Sequence, residues 1–432
     1  MLMLPTGHRK GVGQDQIFTV SLRRVAERKI ARMRIAHVIT GLGAGGTPVK
    51  LRKVLAAQQS LPGIESCVVG LIQDGPIADQ IRTLGVPVTS LGMRPGVPDP
   101  RALWGLVRTL RGFRPDLIQS WLYHADLMSS LARPWVGKPP VVWNLRHATL
   151  DPQHDSRSTI WTAKACAWLS RRSPARILVN TVSGRRVHAE HGYDDGKMQV
   201  VPNGFDLERF QPSTEARTEM RLALGIPEDT LLIGLVARFS DLKGQAVFIR
   251  AMGQVASQMP RAHFVLCGTN ITAANTTLTQ WVEETGYPQH FHLLGERMDV
   301  ERVHAALDVE VSASVSEAFS NSIGEALCCG VPCVVTDVGD SAWLIENAGR
   351  VVPAQDAPAM TQACVDILSA PAMERVALSQ CARQRMERSF DIHVIARQYH
   401  DIWREVGGQN ESSQPTAVSD PPEQSSSRQR AA

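Results

Sequence analysis

The chain has 432 residues, 43% hydrophobic and 20% charged, and its 46 basic and 42 acidic side chains leave a formal charge of +4. That length exceeds one ordinary core and points to two or three domains, while the composition excludes a fibrous or wholly disordered chain. The charge excess is too small to indicate a nucleic-acid protein, and no stretch reaches the about 18–20 uninterrupted apolar residues of a membrane span.

Residues 1–32 read as an N-terminal extension. No apolar run follows the early charges His8, Arg9 and Lys10, so a secretory signal is not expected. The basic stretch Leu22 to Arg34 suits an anionic membrane surface, or else a solvated helix or a mis-assigned start; Met33 opens the first strand. Strand signals follow at 34–40, 65–72, 87–91, 116–121, 140–145, 176–181 and 198–202, most of them separated by helix-length segments. The segment VVPNGFDLERFQP (200–212) reads as a hinge, with turn chemistry at Pro202, Asn203 and Gly204. The pattern then restarts at 231–238, 263–268, 291–295, 309–314 and 332–337.

Val- and Ile-rich runs alternating with helices predict parallel sheets, so the fold class is α/β: two doubly wound, Rossmann-like domains facing a cleft. The expected boundaries are 33–205 and 206–386. A helix within 387–407 docks back through Ile392, Ile395, Tyr399, Ile402, Trp403 and Val406, and 408–432 form a disordered tail. The eight scattered cysteines form no pair of C-x-x-C motifs and read as free, mostly buried thiols of a reducing cytoplasm.

The glycine loop GLGAGG (41–46) sits between a strand and a helix. Gly41, Gly43, Gly45 and Gly46 allow a phosphate close to backbone and to the helix N-terminus, or else make a tight structural turn. The string also fits a dinucleotide fingerprint, but no acidic residue closes a second strand about 20 residues on. In the second half, Arg238 ends a strand and Lys243 follows, where open α/β sheets bind ligands. They are a diphosphate clamp or two surface cations. Glu317 and Glu325 have seven residues between them, with a helix beginning near Asn321 and Ser322. Such carboxylates suit sugar or ribose hydroxyls, or else one caps the helix and one is solvated.

Arg238 and Lys243, the Glu-x7-Glu pair and GVPCVVTDVGD (330–340) together resemble the retaining glycosyltransferases of GT-B architecture, family 4. The glycine loop, PNGFDLERF and IGLVARFSDLKG agree, and the likeness covers roughly residues 33–407. The resemblance implies that Arg238 and Lys243 hold the donor diphosphate, Glu325 the ribose and Glu317 the transferred sugar. Backbone amides from Phe319 through Ser320 and Asn321 to Ser322 contact sugar or phosphate, and Gly45 and Gly46 approach the distal phosphate. His124 matches the family's cleft histidine, with an ordinary capping residue as the alternative. Arg146 and His147 are candidates for an acceptor phosphate or the donor.

The implied activity is a retaining hexosyl transfer from a nucleotide sugar, UDP favoured, to a lipid-linked or polysaccharide acceptor. No covalent nucleophile is required, and with no D-x-D motif no obligatory metal or other cofactor is expected. The expected location is cytoplasmic, with peripheral contact at an anionic membrane and no nucleic-acid partner. Ala318 and Asp340 replace glycines common in the family and are expected to adjust the pocket wall. A nucleotide-sugar 2-epimerase, a non-catalytic nucleotide-sugar binder and an NAD(P) oxidoreductase are the competing readings.

Overall fold

The computed structural model describes residues 32–94, 99–146, 150 and 156–408. Most of the N-terminal extension, His147 and nearly all of the predicted tail lie outside the described residues.

The first lobe runs β1 (Met33–Ile39), α1 (Gly46–Gln58), β2 (Ile64–Gly70), α2 (Pro76–Thr83), β3 (Val88–Ser90), α3 (Pro100–Phe113), β4 (Leu117–Trp121), α4 (Tyr123–Ala132), β5 (Val141–Leu145), α5 (Arg157–Ser170), β6 (Arg176–Val179), α6 (Val182–Glu190) and β7 (Met198–Val200). The second begins with α7 (Thr214–Leu224), β8 (Leu231–Val236), α8 (Gln245–Gln258), β9 (Ala262–Cys267), α9 (Thr276–Glu284), β10 (Phe291–Leu293) and α10 (Val300–Ala306). It continues with β11 (Val309–Ser312), α11 (Asn321–Cys328), β12 (Cys333–Thr336), α12 (Ser341–Ile345), β13 (Gly349–Val352), α13 (Ala357–Ser369), α14 (Ala372–Ser389) and α15 (Ile392–Val406).

The sheets have strand orders β3-β2-β1-β4-β5-β6-β7 and β10-β9-β8-β11-β12-β13, parallel at every pairing. The order reverses direction beside β1 and beside β8, so each lobe has a crevice at the carboxyl ends of its central strands. Helices cover both sheet faces, which is why strands such as β8 read as unbroken apolar runs rather than alternating ones. Twelve strands match the predicted runs; β13 was missed. It is a short edge strand, and Gly349 sets its approach, because a Cβ there would lie 1.8 Å from the Cys333 carbonyl oxygen.

The chain crosses between lobes twice, and the crossings run together. Phe205 N–H donates to the Phe390 carbonyl at 2.8 Å, and Ile392 N–H donates to the Phe205 carbonyl at 2.8 Å. Gly204 therefore does not make the turn expected of it. It is small because a Cβ would stand 2.8 Å from Ile392 Cα.

After the second crossing, α15 packs on the first lobe. Ile395, Tyr399 and Trp403 join Ile35, Leu117 and Trp121 in one core. Trp403 Nε1–H donates to Gln119 Oε1 at 2.8 Å, and Asn144 Nδ2 donates to Tyr399 OH at 2.8 Å. Among the described residues no helix is long and apolar enough to cross a membrane. Trp403→Ala removes a fully buried indole and leaves the buried Gln119 without its donor. We expect a loss of about 3–5 kcal/mol in urea unfolding; a loss below about 1 kcal/mol would show that α15 does not anchor the first lobe.

Candidate active site

A cavity of about 320 Å³ opens at the carboxyl ends of β8 and β11. Arg238, Lys243, Glu317, Phe319, Ser320, Asn321 and Ser322 all line it. Lys243 is brought in by a short helical turn, Asp241–Lys243, that must end in glycine. Gly244 has φ +69°, and a Cβ there would lie 1.9 Å from the Ala313 carbonyl oxygen. The Lys243 ammonium pairs with the Glu317 carboxylate inside the cavity, and Ser314 Oγ donates to the same carboxylate at 3.4 Å. Arg238 is exposed beside them, with its carbonyl held by Gln245 Nε2 at 2.9 Å.

The amino end of α11 points its first amides to this side. Ser320 caps it, its Oγ accepting from Ile323 N–H at 3.5 Å. Buried Glu310 on β11 steadies the same end by accepting from Ser322 Oγ at 2.5 Å. Cations on one side and free helix amides on the other make a cavity suited to an anion.

The other predicted residues do not line the cavity. Glu325 lies one turn further along α11. Gly45 caps α1 and Gly46 begins it, both exposed; an added Cβ at Gly46 would meet nothing within 4 Å. No fold constraint calls for glycine there, and the space in front of α1 is open. His124 is half-buried in the first turn of α4, at the carboxyl end of β4. Leu122 before it holds φ +75°, a strained conformation costing about 1–3 kcal/mol of the kind concentrated at functional sites. Arg146 directly follows β5 and donates to Asn203 Oδ1; Asn203 Nδ2 donates to Asn321 Oδ1 at 3.2 Å, linking the end of β5 across the hinge to α11.

Two family models match. Residues 45–209 fit Glycosyltransferase Family 4, and residues 230–370 fit Glycosyl transferases group 1. The chain is 30% identical over 316 residues to a D-inositol 3-phosphate glycosyltransferase of Corynebacterium jeikeium, covering 68% of this chain and 73% of that one. A protein of the same name from Corynebacterium urealyticum is also 30% identical, matched over 54% of this chain and 57% of its own length. The chain belongs to the family 4 glycosyltransferases of GT-B fold. It is 23% identical to the Escherichia coli UDP-Gal:α-D-GlcNAc-diphosphoundecaprenol α-1,3-galactosyltransferase, over 86% of this chain and 97% of that one. The fold is shared with Anabaena HepE, crystallised with UDP, at a TM-score of 0.73, 21% identity, and coverage of 86% of this chain and 100% of that one.

Sequence reasoning missed the wall of this glycosyltransferase opposite α11. Lys50 and Lys53 sit three residues apart on α1, directly after the glycine loop, and that position was the available signal. Lys50 Nζ donates to the Gly204 carbonyl at 3.4 Å and lies 5.0 Å from the centre of the Phe205 ring. Burial, then Lys53 and Arg146, push the Lys50 ammonium well below its usual pKa, while Glu325 opposes them. Burial disfavours the Glu325 carboxylate in turn, but His304, Lys53 and Lys50 hold its pKa below the usual value.

His304 was missed as well. It is fully buried between two carboxylates, with Nδ1 3.4 Å from Glu310 and Nε2 3.6 Å from Glu325. The signal was an acid, Glu310, between two valines of a buried strand. Asp340 corrects a further expectation, since neither it nor Ala318 lines the cavity. The Asp340 carboxylate reaches the other lobe and accepts from Val182 N–H at 2.6 Å and Ser183 N–H at 2.9 Å, at the amino end of α6. Among the described residues no group of three or more His, Cys, Asp or Glu is placed to hold a metal ion.

Burial alone would lower the His304 pKa, but Glu310 and Glu325 raise it from 6.5 to about 9. A raised folded-state pKa stabilises the fold fully below about 6.5 and less as pH rises through about 9. Urea unfolding across that range should show wild-type stability falling, with a flatter curve for His304→Gln. Parallel curves would contradict a charged His304.

Proposed function

We propose that this glycosyltransferase moves a hexose from a UDP-sugar to a lipid-linked or polysaccharide acceptor with retention of anomeric configuration. The observation that carries the reading is the anion-suited cavity in which Arg238, Lys243, Glu317 and the amino end of α11 converge. UDP is favoured because HepE was crystallised with UDP and with UDP-glucose, and because the E. coli relative is named for UDP-Gal. A lipid-linked acceptor in glycan assembly is favoured because that relative is named for a diphosphoundecaprenol acceptor.

In this proposal Arg238, Lys243 and the amides of Ser320 to Ser322 receive the diphosphate. Glu325 takes the ribose, across from Lys50 and Lys53. The bond from the anomeric carbon to the diphosphate oxygen breaks first, leaving negative charge on that oxygen and oxocarbenium character on the sugar. The fixed cations and amides already face the position where that charge grows, so they lower the barrier without reorganising. The acceptor hydroxyl then attacks on the face the diphosphate has left, and its proton passes to a diphosphate oxygen. Glu317 and His124 hold hydroxyls of the sugar while it reacts, and Gly45 and Gly46 admit the distal phosphate to the amino end of α1. Glu317 pairs with Lys243; the donor competes for that ammonium, which leaves Glu317 free to meet the sugar.

Lys243→Ala should weaken UDP binding by calorimetry about 10- to 100-fold, the loss of one charge-assisted contact. Glu317→Gln removes the carboxylate that competes for Lys243, so it should leave UDP affinity undiminished and lower turnover instead. Unchanged UDP affinity in Lys243→Ala, or equal losses of binding in both variants, would refute this division of roles. Because protein cations and amides neutralise the leaving group, turnover of a UDP-sugar should persist in excess EDTA; its abolition, restored by a divalent cation, would show that a metal carries that charge.

A further inference from the structure

Four tryptophans of the first lobe are exposed: Trp104 at 62%, Trp135 at 58%, Trp161 at 71% and Trp168 at 70%. Large aromatics scattered over a soluble surface need no explanation, but these share one layer. Helices α3, α4 and α5 lie side by side on one face of the first sheet, with α4 touching both neighbours. On α3 the inward residues are Ala102, Leu106, Val107 and Leu110, whereas Trp104 shares the outward face with Arg101, Arg108 and Arg111. On α5 the spacing Trp161, Lys164, Trp168 places all three on one outward stripe. Trp135 and the exposed Leu131 fill the end of the layer between them, and Arg111 Nε–H donates to the Trp135 carbonyl at 2.8 Å.

The charge on this face has one sign. Neither α3 nor α5 contains an Asp or Glu, and the single acid of α4, Asp126, is buried. Lys164 Nζ stands 5.5 Å from the Trp161 ring centre, and the Arg172 guanidinium 5.7 Å from that of Trp168. Trp161 and Trp168 thus each carry a cation at their side. Indoles partition to the bilayer interface, where the ring body is apolar and the N–H stays wet; lysine and arginine beside them meet lipid phosphates. The cations and indoles of this layer are complementary to an anionic headgroup surface with an apolar interior.

We propose that the α3–α4–α5 face of the first lobe docks on an anionic lipid bilayer, with the four tryptophans at the headgroup level and the cations on lipid phosphates. The face belongs to described residues and does not depend on the basic stretch before Met33. A lipid-linked acceptor would explain why a glycosyltransferase needs such a face, but the docking itself requires neither donor nor acceptor.

The test therefore uses vesicles without substrates, so its failure and that of the transferase reading are separate. The full chain should cosediment with vesicles of phosphatidylcholine and phosphatidylglycerol in equal parts, and not with phosphatidylcholine alone. Binding should weaken as salt is raised. Brominated acyl chains should quench its tryptophan emission. Trp104→Ala with Trp161→Ala and Trp168→Ala, and separately Lys164→Glu with Arg172→Glu, should each lower partitioning about tenfold or more. All five positions are exposed, so melting temperature should hold, and UDP affinity measured alongside reports a folded cleft. Three results would overturn the proposal. They are no binding to the anionic vesicles, binding undiminished in both variants, or a lipid-independent dimer that the tryptophan variant dissociates, which would assign the face to a second copy of the chain.

Discussion

The ring of Phe205 is where the two lobes, both chain crossings and the candidate site meet. Its backbone bonds to Phe390 and Ile392 tie the crossings into one strap. Its side chain is fully buried against α11, so close that a Cβ at Gly324 would lie 2.1 Å from Phe205 Cζ. Phe319 of the cavity wall stacks on it at 6.2 Å, and Lys50 Nζ lies 5.0 Å from the ring centre. The Phe205 ring thus touches both Lys50 of α1 and Gly324 of α11. Close packing makes that arrangement hard to vary, because a displaced aromatic ring gives up many contacts at once.

Around that contact the electrostatics are layered. Outermost is the Lys243–Glu317 pair, partly exposed in the cavity and open to exchange with a ligand. Next come Lys50 and Lys53 facing Glu325 across the lobes. Deepest is His304, fully buried between Glu325 and Glu310. Glu325 is balanced from the interior by His304 as well as from the cleft by Lys53 and Lys50, which hold its pKa below the usual value although burial alone would raise it. Asp340 adds a link of a different kind, a carboxylate of the second lobe placed on the amides that open α6 of the first.

The first lobe has two working faces under this arrangement. Its strand ends look into the cleft, and the outer side of α3, α4 and α5 carries tryptophans and cations outward. The two are independent in chemistry, since one is built from glycine, histidine and buried lysine and the other from exposed indole and guanidinium.

Much of this was legible from residue order. Buried parallel strands are continuous apolar runs, so the two sheets could be read directly, and only the four-residue edge strand β13 escaped. The Arg238–Lys243 spacing, Glu317 and the segment from Phe319 to Ser322 named residues that line the cavity, whereas Glu325 and the glycine loop, singled out by the same reading, lie outside it. What the linear order could not decide was which distant groups would face them. Lys50 opposite Glu325, His304 between two acids, Asp340 on another lobe's helix and Gly204 against Ile392 are pairings between residues far apart in the chain. They exist because packing around Phe205 brings those surfaces together, and packing is a property of the closed volume that no local pattern encodes.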